Sequence, residues 1–228
     1  MTFQRARSEE QRAIRRRAIL DTTAAMLDEM PVAEVSLNEL SRRVGLAKSN
    51  VLRYFESREA VLLELLDDFL GSWLEALADE LAEGVDADAA PETRARQLGE
   101  VISRSLAERT VLCDLFGAQG GVLERNVSVK VVKRHKRASH ARLATMSELL
   151  RRHVPEIGDA AERFCLMTLA TAGALGTYVP PPPSVLAAYA EEPELGVLHM
   201  ELPDALRLTV TSLLLGVLPR DGGAPPGR

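Results

Sequence analysis

Residues 35–66 read VSLNELSRRVGLAKSNVLRYFESREAVLLELL, a stretch in which Gly45 parts two short helix-forming segments and a long third one follows at once. Ser36-Leu37-Asn38-Glu39 has the form of a capping box, in which the serine oxygen accepts an amide hydrogen bond at the third helical position and the glutamate reaches back. The first short helix is expected to end at about Val44. Gly45 then supplies the permissive backbone for a tight turn, and a second helix is predicted over about residues 47–54. Leu37, Leu40, Val44, Leu46, Val51 and Phe55 are spaced to form a small core that locks the two helices across each other. The side chains left outside that core are Lys48, Ser49, Asn50, Arg53, Tyr54 and Arg58. They are short of acids and rich in groups that bind phosphates and base edges.

The rest of the chain carries helical signals. From Glu9 to Glu29, the residues Ile14, Ala18, Leu20, Ala24 and Leu27 are predicted to share one face, with Arg12, Arg15, Arg16 and Arg17 crowding the first half and Pro31 stopping the helix. Ser57 is a predicted N-cap for a long helix over about 58–81, with Val61, Leu62, Leu65, Leu66, Phe69 and Trp73 on its apolar side. Residues 84–91, small and acidic and ending in Pro91, read as the clearest linker. Further helices are predicted at about 92–108, 111–118, 122–153, 160–179 and 203–218, and the tail at 221–228 is expected to be disordered. No strand of alternating polarity and no repeat of fixed period is visible, so the predicted fold class is all-α.

Charge is uneven along the chain. Residues 1–58 hold 11 basic and 8 acidic groups, while 59–228 hold 17 and 25, which places a basic module in front of an acidic body. Only two cysteines occur, Cys113 and Cys165, too few for a disulfide framework or a cysteine zinc cluster, and a reducing cytoplasm is the expected compartment. The basic amino-terminal run lacks the apolar core of a secretory signal. The longest uncharged stretch, residues 164–190, is broken by four prolines after 16 residues, short of the roughly 20 that a spanning helix needs. An enzyme built on the helical body finds no support in a Gly-rich phosphate loop, an HExxH, a nucleophile elbow or a Cys/His cluster.

Taken together, the Arg-rich first helix with Ile19-Leu20, the capped Ser36-Leu37-Asn38-Glu39-Leu40 opening, Arg42-Arg43-Val44-Gly45-Leu46, Lys48-Ser49, and Tyr54-Phe55 before Ser57-Arg58-Glu59-Ala60 resemble the helix-turn-helix domain of the TetR family of bacterial transcriptional regulators over residues 12–66. The resemblance implies a three-helix DNA-reading head over residues 1–58, with residues 1–8 as an arm, followed by a helical effector-binding and dimerisation domain over 59–220. It places Lys48, Ser49, Asn50 and Arg53 in or over the major groove, and Ser36, Tyr54 and Arg58 on phosphates. Most members are repressors released by a small molecule. Two positions depart from the pattern: Leu52 stands where the family usually has tyrosine, and Asn50 replaces a small residue or threonine. An asparagine can bond bidentately to adenine, which bears on operator preference.

Other groups have two readings each. Arg12, Arg15, Arg16 and Arg17 form either a solvated helix face or a set of phosphate contacts. Residues 125–142 hold seven cations, His135 and His140, and no acid. Their spacing favours a solvated helix face, balanced by acids of 75–83, over a second nucleic-acid surface, with Val127, Val131 or Val132, and Ala138 on the buried side. Phe69, Trp73, Cys113, Phe116, Met146 and Met167 fall where the family forms its ligand cavity. Each is read first as core packing, and few charges are available to line a pocket there, so the expected effector is mainly apolar. The helices at about 160–179 and 203–218 have wide uncharged faces, marked by Thr168, Ala172, Leu175 and by Leu206, Leu213, Val217, and the family implies homodimerisation through them. The expected partners are thus double-stranded DNA, a second copy and an unknown small molecule, with no metal, cofactor or membrane. An architectural DNA-binding dimer without a ligand is the alternative within the same class.

Overall fold

The computed structural model describes residues 2–179, 181–197 and 199–219, with side chains from Glu9 onward; the tail at 221–228 and Pro180 of the proline run lie outside the described residues. Among the described residues ten α-helices follow one another: α1 (Thr2–Leu27), α2 (Leu37–Val44), α3 (Lys48–Val51), α4 (Arg58–Gly84), α5 (Pro91–Ala107), α6 (Thr110–Ala118), α7 (Val129–His153), α8 (Ala161–Gly176), α9 (Pro183–Glu191) and α10 (Leu202–Val217). Among the described residues there is no strand. No helix among them is long and apolar enough to cross a membrane.

The chain packs as two units, one of residues 1–69 with Ala118–Ala138 and one of Leu70–Gly117 with the residues from Ser139 on. The expected break after residue 58 is therefore not a break in packing. The first half of α4 belongs with the amino-terminal helices, and so does a segment from the middle of the chain.

In the first unit, α1 buries Ile19, Leu20, Thr23, Met26 and Leu27. Ile14, by contrast, is 61% exposed, and Ala18 is exposed too. The face predicted from Ile14 is thus displaced, because the buried stripe starts at an arginine. Arg16 lies with its guanidinium 3.9 Å over the Phe55 ring, and a cation at the head of an apolar stripe hides it from a hydrophobicity pattern. Helix α1 also starts at Thr2, well before the predicted Glu9.

The unit's core is completed by Val32, Val35, Leu40, Val51, Phe55, Leu123 and the α4 residues Val61, Leu62, Leu63, Leu65 and Leu66. Leu37, Val44 and Leu46, predicted core, are half-buried. Residues 119–126 form a π turn (Gln119–Leu123) and a 3₁₀ turn (Glu124–Asn126), so the helix predicted from 122 begins only at Val129.

In the second unit α10 lies against α5 and α8. Trp73 is fully enclosed and donates from Nε1 to Ser105 Oγ at 2.9 Å, which satisfies its one polar group. The expected linker is an ordered turn: Val85 is buried, Asp86 N donates to Gln97 Oε1 at 3.0 Å, and Asp88 N donates to Asp86 Oδ1 at 3.0 Å. Helices α6 and α8 touch backbone to backbone at Gly117 and Gly173, where a Cβ on Gly173 would stand 2.7 Å from Gly117 N. Helix α9 was not predicted. It follows the proline run, begins with Pro183 in its first turn, and buries none of its residues, so no apolar stripe announced it.

Candidate nucleic-acid interface

The reading surface is built from α2, the Gly45 turn and α3. Ser36 is the N-cap of α2, its Oγ accepting from Glu39 N at 3.1 Å. The capping box is only half made. Glu39 turns away from the N-terminus and accepts from Arg42 Nε at 2.9 Å and from Arg43 Nε at 2.8 Å, bonds that lower its carboxyl to about 2. At the other end Gly45 adopts φ 68°, with its N–H on Arg42 O at 3.3 Å and the Leu46 N–H on Ser41 O at 3.1 Å. That pairing is a Schellman motif, and it aims the chain sharply into α3.

Helix α3 is shorter than the predicted 47–54. After Val51 its hydrogen bonds tighten from the α spacing, Leu52 N to Lys48 O at 3.0 Å, to the 3₁₀ spacing, Arg53 N to Asn50 O at 3.2 Å and Tyr54 N to Val51 O at 2.9 Å. Val51 and Phe55 anchor it, while Lys48, Ser49, Asn50 and Arg53 are exposed. The carbonyls left open at its end are taken by α1: Arg16 Nη1 donates to Tyr54 O at 2.8 Å and Arg12 Nη2 to Arg53 O at 3.4 Å. Arg16 also donates from Nε to Glu64 Oε1 at 3.0 Å, and Arg12 lies 5.9 Å over the half-buried Tyr54 ring.

Of the seven predicted contact residues the structure brings five, Lys48, Ser49, Asn50, Arg53 and Tyr54, onto one short segment. Ser36 is exposed but has its oxygen engaged as a cap. Arg58 is turned inward: it donates to Val35 O, to Ala33 O at 3.4 Å and to Glu59 Oε1 at 2.9 Å, and so staples the loop before α2 to the start of α4.

One partner of this surface was missed. Glu56 accepts from the Ser128 N–H and from Ser128 Oγ at 2.8 Å, capping the start of α7 from a distant part of the chain, and these bonds hold its carboxyl below the usual range. No local pattern around Glu56 marks a cap supplied across 72 residues. The basic segment shows a buried side made of Val131 and His135, with Val127, Val132 and Ala138 half-buried. Its acids come from Glu64 and Glu124, not from 75–83: Arg134 meets Glu64 at 3.2 Å, Lys136 meets Glu124 at 2.7 Å, and His135 Nδ1 meets Asp67 at 2.8 Å.

The family profile for bacterial regulatory proteins of the tetR family matches residues 19–65, and the profile for the tetracyclin repressor-like C-terminal domain matches residues 68–221. The chain belongs to the TetR family. As a TetR-family protein it is a DNA-binding transcriptional regulator with a helix-turn-helix head. The HTH-type transcriptional regulator EthR of Mycobacterium tuberculosis is 42% identical over 50 residues, 22% of this chain and 23% of that protein. The EthR of Mycolicibacterium smegmatis is 38% identical over 56 residues, 25% of this chain and 26% of that protein. These alignments thus span about a quarter of the curated relatives they match. Two solved structures share the fold over nearly the whole chain. The FadR of Thermus thermophilus, a TetR-family transcriptional repressor in complex with lauroyl-CoA, is 19% identical at a TM-score of 0.56, covering 93% of this chain and 100% of that one. The FadR of Bacillus subtilis in complex with stearoyl-CoA is 15% identical at a TM-score of 0.51, covering 88% and 98%.

In the TetR C-terminal region, Trp73, Cys113 and Met146 are buried and Phe116 is half-buried; Phe69, also half-buried, lies in the first unit. Burial pushes both the Cys113 and the Cys165 thiols up to about 11. Met167, expected among the cavity residues, is 50% exposed: α8 turns Phe164, Cys165, Thr168, Leu169 and Ala172 inward and Met167 out. The faces expected to meet a partner are placed only in part in the core. Thr168, Ala172 and Leu206 lie in the unit's own core and Leu175, Leu213 and Val217 are half-buried, whereas Leu166 and Met167 on α8 and Leu208 on α10 point outward.

Proposed function

We propose that this TetR-family regulator is a repressor that binds a palindromic operator as a homodimer and is released by a small, mainly apolar ligand. The observation that carries the DNA half of the reading is the α3 surface. Lys48, Ser49, Asn50 and Arg53 stand exposed beside one another on a segment whose last carbonyls, those of Arg53 and Tyr54, are taken by α1, so their side chains are left for base edges and phosphates. Ser36, Tyr54 and Arg58 belong to the same reading as backbone-facing groups, with Ser36 and Arg58 acting first as a cap and a staple. Dimerisation through α8 and α10 is supported by the outward Leu166, Met167 and Leu208. A two-fold dimer sets its heads one helical turn of DNA apart, about 34–36 Å.

The effector's class is supported by the burial of the apolar Trp73, Cys113 and Met146, and by the long acyl chains of the CoA esters bound in the two FadR structures. An effector acts here by favouring a conformation in which the heads are misspaced, to the extent of its differential affinity for the two states. The test is selection of the full chain against a random duplex pool at moderate salt, alongside Arg53→Ala. An enriched inverted repeat that Arg53→Ala no longer selects, and that lauroyl-CoA or stearoyl-CoA releases, is the expected result. No enrichment by the wild type would defeat the operator reading, and an enriched direct or single half-site would defeat the dimeric one.

A further inference from the structure

The four arginines of α1 are not equivalent. Arg16 is spent on Glu64, Tyr54 O and the Phe55 ring, and Arg17 on Asp21 at 2.7 Å and Asp68 at 3.5 Å. Both are therefore internal fastenings. Arg12 is tethered by one bond to Arg53 O and by the Tyr54 ring, and its charge meets no carboxylate among the described residues. Arg15 is exposed, and neither it nor the Arg53 side chain has a hydrogen bond or an ion pair among those residues.

These three cations converge. With Gln11, Ile14 and Tyr54 they line a groove of about 530 Å³ between α1 and the end of the α3 turn, and no acid lines it among the described residues. Three cations lining one groove without a counter-charge among the described residues repel one another, and the Tyr54 ring and the Arg53 carbonyl answer Arg12 alone. An anion in the groove answers all three, and a guanidinium fork matches phosphate oxygens. Ile14, 61% exposed on the same groove, gives it an apolar lip that a free inorganic anion has no use for and a deoxyribose does. The groove adjoins Arg53 of the reading segment, so a duplex engaged there brings its own backbone to it.

We propose that Arg12 and Arg15, together with Arg53, seat a backbone phosphate of duplex DNA, which makes α1 a DNA-contacting element beside the helix-turn-helix. The proposal rests on the DNA reading above and adds a contact to it. A phosphate contact carries register and salt dependence, not base preference.

The experiment uses the full chain and the duplex selected as above. Fluorescence anisotropy across a KCl series compares the wild type with Arg15→Gln and with Lys133→Gln, an exposed cation of α7 outside the groove. Arg15→Gln is expected to flatten the slope of log affinity on log salt by about 0.9, to select the same sequence, and to melt at the wild-type temperature. Lys133→Gln is expected to overlay the wild type. Ethylation of single phosphates on the duplex is expected to reveal a position in each half-site that hinders the wild type and is indifferent to Arg15→Gln. Unchanged slope and ethylation pattern in Arg15→Gln, with a normal wild-type isotherm, would overturn the phosphate seat and leave the DNA reading standing. A wild type that selects no duplex would overturn the DNA reading itself. Inorganic phosphate at matched ionic strength is expected to leave duplex binding unchanged, and specific competition by it would reassign the groove to a free phosphate.

Discussion

Ser36 is exposed on the reading surface, yet its oxygen serves its own helix, so replacing it tests structure before recognition. Ser36→Ala is expected to cost about 1 kcal/mol of stability, read as a fall in the urea midpoint, and Ser36→Asp to restore most of it. Glu56 gives a pH signature. Its folded pKa is depressed by the bonds from Ser128, so its contribution is present above the unfolded carboxylate value and is lost as pH falls through the lower, folded one. The stability gap between wild type and Glu56→Gln is therefore expected to be open at neutral pH and to close at pH values below about 4.3, as followed by urea unfolding at a series of pH values. The cysteines are expected to resist a thiol reagent until the chain unfolds, because both are buried and their thiols are raised to about 11. At this scale the sequence was most legible where a side chain has nothing else to do: Lys48, Ser49, Asn50 and Arg53 were read from a local pattern and stand exposed as read. It was least legible where the partner is remote. Nothing near Arg58 announces the carbonyls of Ala33 and Val35, and nothing near Glu56 announces Ser128.

Helices were found where a cap, a glycine or a proline marks an end and an apolar stripe marks a side. The α2 bounds came out as predicted because Ser36 and Gly45 fix both ends through their own backbone geometry. Gly45→Ala places a Cβ in open space, so its cost is conformational, about 1–2 kcal/mol for a left-handed residue. Gly45→Asn is expected to retain more stability than Gly45→Ala in thermal melts, since asparagine tolerates that backbone. The α1 stripe was misplaced because pattern reading ranks an arginine as surface, although a guanidinium stacked on Phe55 packs as core does. The faces of α8 and α10 were legible only in part, for a different reason. Both helices are apolar nearly all round, and the choice of which side turns inward is made by close crossings such as Gly117 on Gly173, which spacing along one helix cannot reveal.

For the whole molecule, oligomeric state is the property on which the proposed palindrome depends. Placing Arg at both Leu166 and Leu208 puts charge on the outward rows of α8 and α10 without entering the core. The double variant is expected to sediment as a monomer and to lose affinity for the inverted repeat, and an unchanged sedimentation coefficient would place the dimer elsewhere. The first unit also has a history written into its topology. Its amino-terminal part is latched by Ser128, from a segment that lies 72 residues beyond Glu56. During synthesis Glu56 thus leaves the ribosome 72 residues ahead of its partner, and the reading head is finished only when Ser128 follows. Until then the head waits with Glu56 still unclaimed.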